Sequence, residues 1–209
     1  MRIIAGKYRR RTLLTNPGET TRPITDRVKV ILFDRIEGYL PDAHVADIFA
    51  GTGTMGLEAL SRGASTVVFY EQDRRAHELL QQNVAKLHVE EETVCWRVDV
   101  LRTSFRPKGV ENFLPYNVIF FDPPYRMTPS IKPGSPLFKS LVRLANPEIS
   151  AEDALLILRC ERRAEFSLPE AWRLDQSIIE NRMALHFFRR GAETPRIEAE
   201  GEPAAETIG

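Results

Sequence analysis

The sequence predicts an α/β protein with a mostly parallel sheet of seven strands. Short apolar segments, typical of buried strands, alternate with helical segments, and this alternation places helices on both faces of a parallel sheet. The last two apolar segments, 172–179 and 183–188, are separated by three polar residues, which predicts an antiparallel hairpin at the end of the sheet. A glycine-rich turn at 51–56 joins the first strand to a helix, as in doubly wound folds.

The individual elements follow from local patterns. The predicted strands are the apolar runs 45–49, 66–70, 93–98, 117–121, 154–158, 172–179 and 183–188. Four helices are predicted, beginning near Thr25 or Asp26, at Met55, after Asp73 and near Phe138. Residues 2–14 predict a short β-hairpin ahead of the sheet, and the proline-containing segment 128–135 predicts a loop.

The composition is that of an ordinary globular protein. The 209 residues are 43% hydrophobic and 28% charged, with a formal net charge of zero. No apolar run approaches the roughly 20 residues that span a bilayer, and the N-terminus lacks a signal-peptide core, so we expect a cytoplasmic protein. Cys95 and Cys160 lie in apolar segments and are predicted to be buried thiols. Because the histidines lack ligand spacing, we expect no metal site.

Charge is unevenly distributed along the chain. Residues 1–35 contain nine bases and three acids, whereas the last nineteen residues contain five glutamates and one arginine. This asymmetry predicts a basic end that faces a polyanion and a solvated acidic tail. We therefore divide the chain into a basic hairpin and helix (1–40), an α/β domain (41–190) and a disordered tail (191–209). The candidate polyanion-binding bases are Lys7, Arg9, Arg10, Arg11 and Arg22.

The glycine turn is the first candidate binding element. The segment from Gly51 to Gly56 matches the G-x-G-x-x-G pattern, and Glu71 lies twenty residues after Gly51 at the end of the next strand. Glycines let the backbone approach a ligand closely, and an acid at the end of the second strand suits a ribose diol. Taken alone, the pattern predicts an NAD-dependent oxidoreductase, or else a turn with a purely structural role.

Acids lie at or near the ends of four successive predicted strands, at Asp47, Glu71, Asp99 and Asp122. The carboxyl ends of parallel strands meet at one edge of the sheet, where ligands bind. Four carboxylates at this edge would repel an anionic pyrophosphate and favour a cationic ligand. S-adenosylmethionine is such a ligand, since it carries an ammonium, a sulfonium, a ribose and an adenine. The acids therefore predict S-adenosylmethionine as the cofactor.

The fourth strand ends abruptly in Asp122-Pro123-Pro124-Tyr125. Proline cannot donate to a strand ladder, so the strand stops by Pro123 and the turn that follows is rigid. The turn resembles the D/N-P-P-Y/F/W motif of amino-methyltransferases, which methylate exocyclic nitrogens of nucleobases. An exocyclic amine is a weak nucleophile and needs acceptors that grip its hydrogens. Asp122 and the carbonyl of Pro123 are suitable acceptors, and the ring of Tyr125 offers a face on which a base can stack.

Further segments resemble one family. Over residues 1–190 the chain is similar to the bacterial 16S rRNA guanine-N2 methyltransferases, and the matching segments are 2–6, 9–11, 22–28, 32–33, 47–53 and 56–64. The resemblance implies a Rossmann-like S-adenosylmethionine-dependent methyltransferase that acts as a monomer. It also implies that the substrate is a guanine N2 in 16S rRNA or in an assembling small ribosomal subunit. The hairpin and helix before residue 40 would then bind RNA and close over the cofactor.

The resemblance also implies roles for single residues. The first strand and the glycine turn would flank the methionine end of the cofactor, Glu71 would hold the ribose, and Asp99 would face the adenine. The 122–125 turn would hold the guanine, and the five bases named above would contact RNA. The expected cofactor-binding residues are Asp47, Phe49, Gly51, Gly53, Glu71, Asp99 and Val100.

Three other functions stay open. A DNA adenine-N6 methyltransferase uses the same Asp-Pro-Pro-Tyr turn, although the chain has no evident domain for reading a duplex site. An NAD-dependent oxidoreductase would explain the glycine turn but not the 122–125 turn. A non-catalytic RNA-binding protein would have no reason to hold that turn intact.

Overall fold

The protein is built on one sheet whose strands follow the predicted apolar runs. The strands are β1 (His44–Ile48), β2 (Thr66–Glu71), β3 (Thr93–Arg97), β4 (Tyr116–Phe121), β5 (Ser150–Glu161), β6 (Trp172–Glu180) and β7 (Met183–Arg190). The computed structural model describes residues 1–15 and 24–191 of the chain. The strand order across the sheet is β3-β2-β1-β4-β5-β7-β6.

The pairing confirms the predicted architecture. Strands β1 to β5 run parallel to one another, while β7 pairs antiparallel with both β5 and β6. The chain leaves β1 toward β2 on one side and later returns to place β4 on the other side. This reversal of direction leaves a crevice at the carboxyl ends of β1 and β4, which is where open α/β sheets bind ligands.

Residues 1–15 and 24–191 contain four α-helices: α1 (Asp26–Arg35), α2 (Thr54–Ser61), α3 (Arg74–Leu87) and α4 (Pro136–Leu144). Helix α1 precedes β1, and the other three connect strands. The predicted caps are confirmed, since the side chain of Thr25 accepts from the amide of Val28 and that of Asp73 accepts from the amide of Ala76. The loop predicted at 128–135 is wrong at its start, because Tyr125–Ser130 form a 3₁₀ helix. Proline fixes φ near the helical value, so the prolines of this segment are compatible with that turn.

The sheet is covered on both faces, as predicted. Val118, Ile119, Phe120 and Phe121 in β4 are each no more than 1% exposed. Phe120 belongs to the hydrophobic cluster under α1 and α2, whereas Phe121 belongs to the cluster under α4. Successive side chains of a strand point to opposite faces of the sheet, so this run fills both layers of the core.

The N-terminal hairpin is present in a reduced form. It contains a single antiparallel bridge, between Arg2 and Thr12, rather than two regular strands. Backbone hydrogen bonds still cross it, from the amide of Ile3 to the carbonyl of Arg11 and from the amide of Leu13 to the carbonyl of Met1. The amides of Ile4 and Ala5 instead donate to the carboxylate of Glu58 in α2, at 2.8 and 3.0 Å. The hairpin is therefore held both by its own hydrogen bonds and by the helix beneath it.

Glu58 is the centre of a buried network that joins three segments. Its carboxylate contacts Nζ of Lys29 in α1 at 2.8 Å and Nε of Arg62 at 2.9 Å, and the Lys29 and Glu58 side chains are no more than 1% exposed. Burial alone would raise the pKa of Glu58, but the charge of Lys29 and the hydrogen bonds to the carboxylate lower it overall. The network fixes residues 1–15 and α1 against α2.

Other sequence predictions have mixed outcomes. Cys95 and Cys160 are free thiols, as predicted, but only Cys160 is fully buried, whereas Cys95 is partly buried. Burial raises the pKa of each to about 12. Among residues 1–15 and 24–191, no helix is long and apolar enough to cross a membrane. The candidate base Arg22 and the predicted tail from residue 192 onward lie outside the described residues.

Candidate active site

A cleft of about 1280 Å³ lies at the carboxyl edge of the sheet. It is lined by residues at the ends of β1, β2, β4 and β5 and by the turn between β6 and β7. Sites for single small molecules usually enclose roughly 300–1,000 Å³. The cleft is therefore large enough for a nucleoside cofactor and a second planar group. The predicted site residues that line it are Asp47, Phe49, Gly51, Glu71, Asp122, Pro123, Pro124 and Tyr125.

The glycine turn after β1 is tightly bent. Phe49, Gly51 and Gly53 have φ values of 65°, 55° and 83°, in the left-handed region that L side chains rarely adopt. Phe49 tolerates this conformation while packing edge-to-face on the ring of Phe121, with 5.6 Å between centroids. The contact fixes the start of the turn against β4.

Asp47 fastens the other end of the glycine turn. Its Oδ2 accepts a 2.8 Å hydrogen bond from the amide of Gly56, in the first turn of α2. The residue is 1% exposed, and burial raises its pKa well above the ordinary value, with further contributions from the negative charges of Asp122 and Glu71. A buried carboxylate of this kind favours a positively charged ligand.

Glu71 joins the glycine turn to β2. Its Oε2 accepts from the amide of Gly51 and its Oε1 from the amide of Asp73, both at 2.7 Å. These two hydrogen bonds fix the orientation of the carboxylate at the end of the second strand, a position that suits a ribose diol. Asp73 also lines the cleft, although its sequence position predicted only a helix cap.

Three predicted cofactor residues are not among the residues that line the cleft. Gly53 faces α3, where an added Cβ would come within 2.4 Å of a methyl carbon of Leu80. Asp99 lies in the turn after β3, and its Oδ1 accepts from the amide of Leu101 at 2.9 Å. Val100 is 3% exposed within the hydrophobic core. Cofactor contacts from these three residues stay predictions.

The 122–125 turn stands beside the glycine turn. The amide of Asp122 donates to the carbonyl of Ile48 at 3.3 Å, so the pairing of β4 with β1 extends to this acid. The carbonyl of Pro124 accepts from the amide of Met127 at 2.7 Å, which closes the first turn of the 3₁₀ helix. The turn is thereby held rigidly from both sides at the switch point of the sheet.

Arg159 in β5 is a site residue that the sequence reasoning missed. Its Nε and Nη2 contact Oδ1 and Oδ2 of Asp122 at 2.8 and 2.7 Å, and its guanidinium lies 5.6 Å from the ring centre of Tyr125. Burial lowers the pKa of Arg159, but the charge of Asp122, the hydrogen bonds to its carboxylate and the nearby Tyr125 together raise it overall. The available signal was a single charged residue within the otherwise apolar run 154–160.

Four further arginines line the cleft, and sequence reasoning missed these as well. One follows the 122–125 turn, two follow β5, and one lies in the turn between β6 and β7. All four are exposed. We call this set the arginine rim: Arg126, Arg162, Arg163 and Arg182.

The predicted basic cluster of the N-terminal hairpin lies elsewhere. Lys7 and residues 9–11 are exposed, and none of them lines the cleft. The amide of Lys7 donates to the carbonyl of Ser61, at the last residue of α2, whereas Thr54, the first residue of α2, lines the cleft. At 1.5 Å per residue these ends are about 10 Å apart. RNA contacts from the hairpin stay a prediction.

Comparison with known proteins agrees with this geometry. The family described as conserved hypothetical protein 95 matches residues 1–189. The chain is 32% identical to ribosomal RNA small subunit methyltransferase D of Escherichia coli (strain K12) over 207 residues, covering 99% of this chain and 94% of the relative. It is also 32% identical to ribosomal RNA small subunit methyltransferase D of Haemophilus influenzae over 176 residues, covering 83% of this chain and 86% of the relative.

A solved structure shares the fold. The Escherichia coli protein yhhF, a candidate methyltransferase, superposes with a TM-score of 0.75 at 31% identity, covering 92% of this chain and 99% of that chain. The match covers nearly the whole of both chains. The chain therefore belongs to the conserved hypothetical protein 95 family and is a relative of ribosomal RNA small subunit methyltransferase D.

Proposed function

We propose that this protein is an rRNA methyltransferase that methylates the exocyclic N2 of a guanine in 16S rRNA, with S-adenosylmethionine as methyl donor. The observation that carries the proposal is that the 122–125 turn and the glycine turn line one cleft. One turn suits a planar amino group and the other suits a nucleoside cofactor. Transfer requires these two ligands to meet, and proximity of this kind supplies much of the rate of a two-substrate reaction.

The residues of the cleft fit the proposed cofactor. When bound, S-adenosylmethionine supplies an electrophilic methyl group on its sulfonium. Asp47, Glu71 and Asp73 surround the glycine turn with negative charge, which favours a cationic amino-acid end. Glu71 is oriented by two backbone amides at the end of the second strand, and this position suits a ribose diol.

The same geometry disfavours the NAD-dependent alternative. Dinucleotide folds bind the pyrophosphate at backbone amides where a helix begins. Here the amide of Gly56, in the first turn of α2, already donates to the carboxylate of Asp47. An internal anion thus occupies part of the place that a pyrophosphate would take.

The 122–125 turn would prepare the target amine for attack. Asp122 and the carbonyl of Pro123 accept hydrogen bonds from the amino group, which favours its pyramidal, nucleophilic form. Tyr125 stacks on the base, a contact worth roughly 1–3 kcal/mol. Arg159 fixes the orientation of Asp122 through two hydrogen bonds. Each oxygen of Asp122 retains acceptor capacity, because a carboxylate has about four acceptor sites. The extra proton of the methylated amine leaves to solvent through the open side of the cleft.

The substrate assignment rests on the relatives. Two proteins that are 32% identical to this chain carry names that specify small-subunit ribosomal RNA. The choice of guanine N2 comes from the family resemblance of the sequence. We further propose that the protein works as a cytoplasmic monomer, with residues 1–40 closing over the cofactor and 41–190 carrying the chemistry.

The test is methylation of 16S rRNA and of small ribosomal subunits isolated from cells that lack this protein. With labelled S-adenosylmethionine, wild-type protein is expected to add one methyl group, which mass spectrometry of nuclease fragments will locate on a guanine N2. The Asp122→Ala variant serves as the inactive control. Methylation of an adenine N6 in duplex DNA, with none in either rRNA substrate, would instead support the DNA methyltransferase.

A further inference from the structure

The arginine rim lies beside the turn that would hold the target base. Arg126 directly follows the 122–125 turn, within the 3₁₀ helix. Arg162 and Arg163 follow the last residue of β5, and Arg182 lies in the turn between β6 and β7. The rim therefore continues the edge of the sheet beyond β4, on the side away from the glycine turn.

Antiparallel pairing explains how residues twenty positions apart come together. Glu161 at the end of β5 pairs with Met183 at the start of β7. One step further, the amide of Arg162 donates to the carbonyl of Arg182 at 2.9 Å. The backbone thus fixes both arginines at the mouth of the cleft, while their side chains remain exposed to solvent.

Within the described part of the chain, the charges of the rim are not neutralised. Among residues 1–15 and 24–191, no carboxylate forms an ion pair with any of its four guanidinium groups. Two neighbouring acids are already paired, Asp122 with Arg159 and Glu180 with Arg27. Glu161 is the remaining acid that lines this side of the cleft. Four positive charges against one negative charge favour an anionic ligand.

We propose that the arginine rim binds the phosphates of the nucleotides that flank the target guanine. The inference rests on the proposed function and identifies where the RNA backbone enters the site. Guanidinium groups bind phosphate through paired hydrogen bonds, and phosphate contacts of this kind position a nucleic acid without reading its sequence. The rim adjoins the base-holding turn, so it contacts the flanking phosphates while the base is inserted. The basic hairpin packs on the end of α2 that lies about 10 Å from the cleft, and it contacts more distant RNA.

A charge-matched pair of variants tests the proposal. Arg162→Gln/Arg163→Gln removes two charges from the rim, and Lys108→Gln/Arg173→Gln removes two exposed charges that lie outside the cleft. Arg173 is in β6, seven residues before Glu180, and so about 23 Å along the strand from the rim. RNA binding and KM for RNA are measured as a function of salt, on whichever of naked 16S rRNA or small subunits the wild type methylates.

The rim variant is expected to raise KM for RNA about 10-fold. It should also reduce the slope of log affinity against log salt by about 1.4, since each phosphate contact to a single strand contributes about 0.7. S-adenosylmethionine affinity should stay unchanged in both variants, which shows that both are folded. The control variant should retain the wild-type slope.

Two outcomes would overturn the inference and leave the proposed function standing. In the first, wild-type protein methylates rRNA and the rim variant keeps its KM and salt slope. In the second, the rim variant loses activity on small subunits while its salt slope on RNA is unchanged, which would indicate a ribosomal protein as the partner of the rim. Failure of the wild type to methylate either rRNA substrate would instead contradict the proposed function.

Discussion

The two halves of the cleft carry opposite charge. Beside β1 and β2 the lining contains Asp47, Glu71 and Asp73, whereas beside β5 and the β6–β7 turn it contains the arginine rim. Asp122 and Arg159 stand between the halves and neutralise each other. A cationic methyl donor and an anionic RNA have opposite requirements, and neighbouring strand ends meet both of them within one cleft.

The halves also differ in how firmly their side chains are held. Asp47 accepts from the amide of Gly56, and Glu71 accepts from the amides of Gly51 and Asp73. The guanidinium groups of the rim form no ion pair with the described part of the chain. The small cofactor thus binds to acceptors of fixed orientation, while the large RNA binds to long side chains that can change their conformation. The side chains at each strand end can therefore differ from their neighbours both in charge and in how firmly they are held.

The largest expected effect comes from the residue at the boundary of the halves. Asp122→Ala should lower kcat by about 100- to 1,000-fold, comparable to the removal of one preorganised hydrogen-bonding group from an active site. Single-turnover kinetics with the rRNA substrate measures the change. S-adenosylmethionine affinity should fall only modestly, because Asp47 and Glu71 remain.

Asp122→Asn is the matched control, since it keeps one acceptor oxygen and loses the charge. It should retain part of the activity lost in the alanine variant. Wild-type turnover by Asp122→Ala would show that the 122–125 turn has only a structural role.

A smaller effect is expected from the partner of Asp122. Arg159→Ala should lower kcat about 10- to 100-fold, because small misplacements of a reacting group cost rates of this order. The carboxylate of Asp122 would then lose the two contacts that fix its orientation. Arg159→Lys keeps one positive charge beside Asp122 and should restore part of the activity. A lower melting temperature with an unchanged kcat would limit Arg159 to a role in stability.

A pH effect should be confined to the acidic half. The pKa of Asp47 is raised well above its ordinary value, mainly by burial, so part of the free protein carries this carboxyl protonated as the pH falls. A cationic ligand favours the ionised form. S-adenosylmethionine should therefore bind more tightly as pH rises through the raised pKa of Asp47, with release of a proton.

Calorimetry in buffers of different ionisation enthalpy measures that proton. The Asp47→Asn variant keeps an acceptor for Gly56 and should lose this part of the pH dependence of binding.

The stability of the protein should change with pH in the opposite direction. A carboxyl whose pKa is raised in the folded state loses its stabilising contribution as pH rises, so Asp47→Asn should unfold at higher denaturant concentration near neutral pH. Equal pH dependence in both proteins would exclude Asp47 as the source.

The acidic half was largely predictable from the sequence. Glu71 and Asp122 each follow an apolar run, and such runs are local signals whose ends meet at one edge of a parallel sheet. Asp99 follows the same pattern but lies outside the cleft lining, because the turn after β3 directs its carboxylate to the amide of Leu101. An acid that follows an apolar run can therefore be placed at the edge of the sheet from the sequence, but its contact with a ligand cannot.

The arginine half was not predictable in the same way. Arg159 and Asp122 are 37 residues apart, and their contact depends on the register of β4 against β5. Arg162 and Arg182 come together only through the register of β5 against β7. Charge counting instead directed attention to the hairpin, where the bases are adjacent in sequence. Contacts set by strand register leave no local pattern in the sequence, so the structure was needed to find them.

We propose that one half of the cleft binds the methyl donor and that the other half binds RNA. The most direct test measures KM for both substrates in two variants, Glu71→Gln and Arg162→Gln/Arg163→Gln. Glu71→Gln should raise KM for S-adenosylmethionine about 10-fold and leave KM for RNA unchanged, whereas the rim variant should do the reverse. If both variants raise the same KM, the two halves do not bind separate ligands, and this would contradict the proposal.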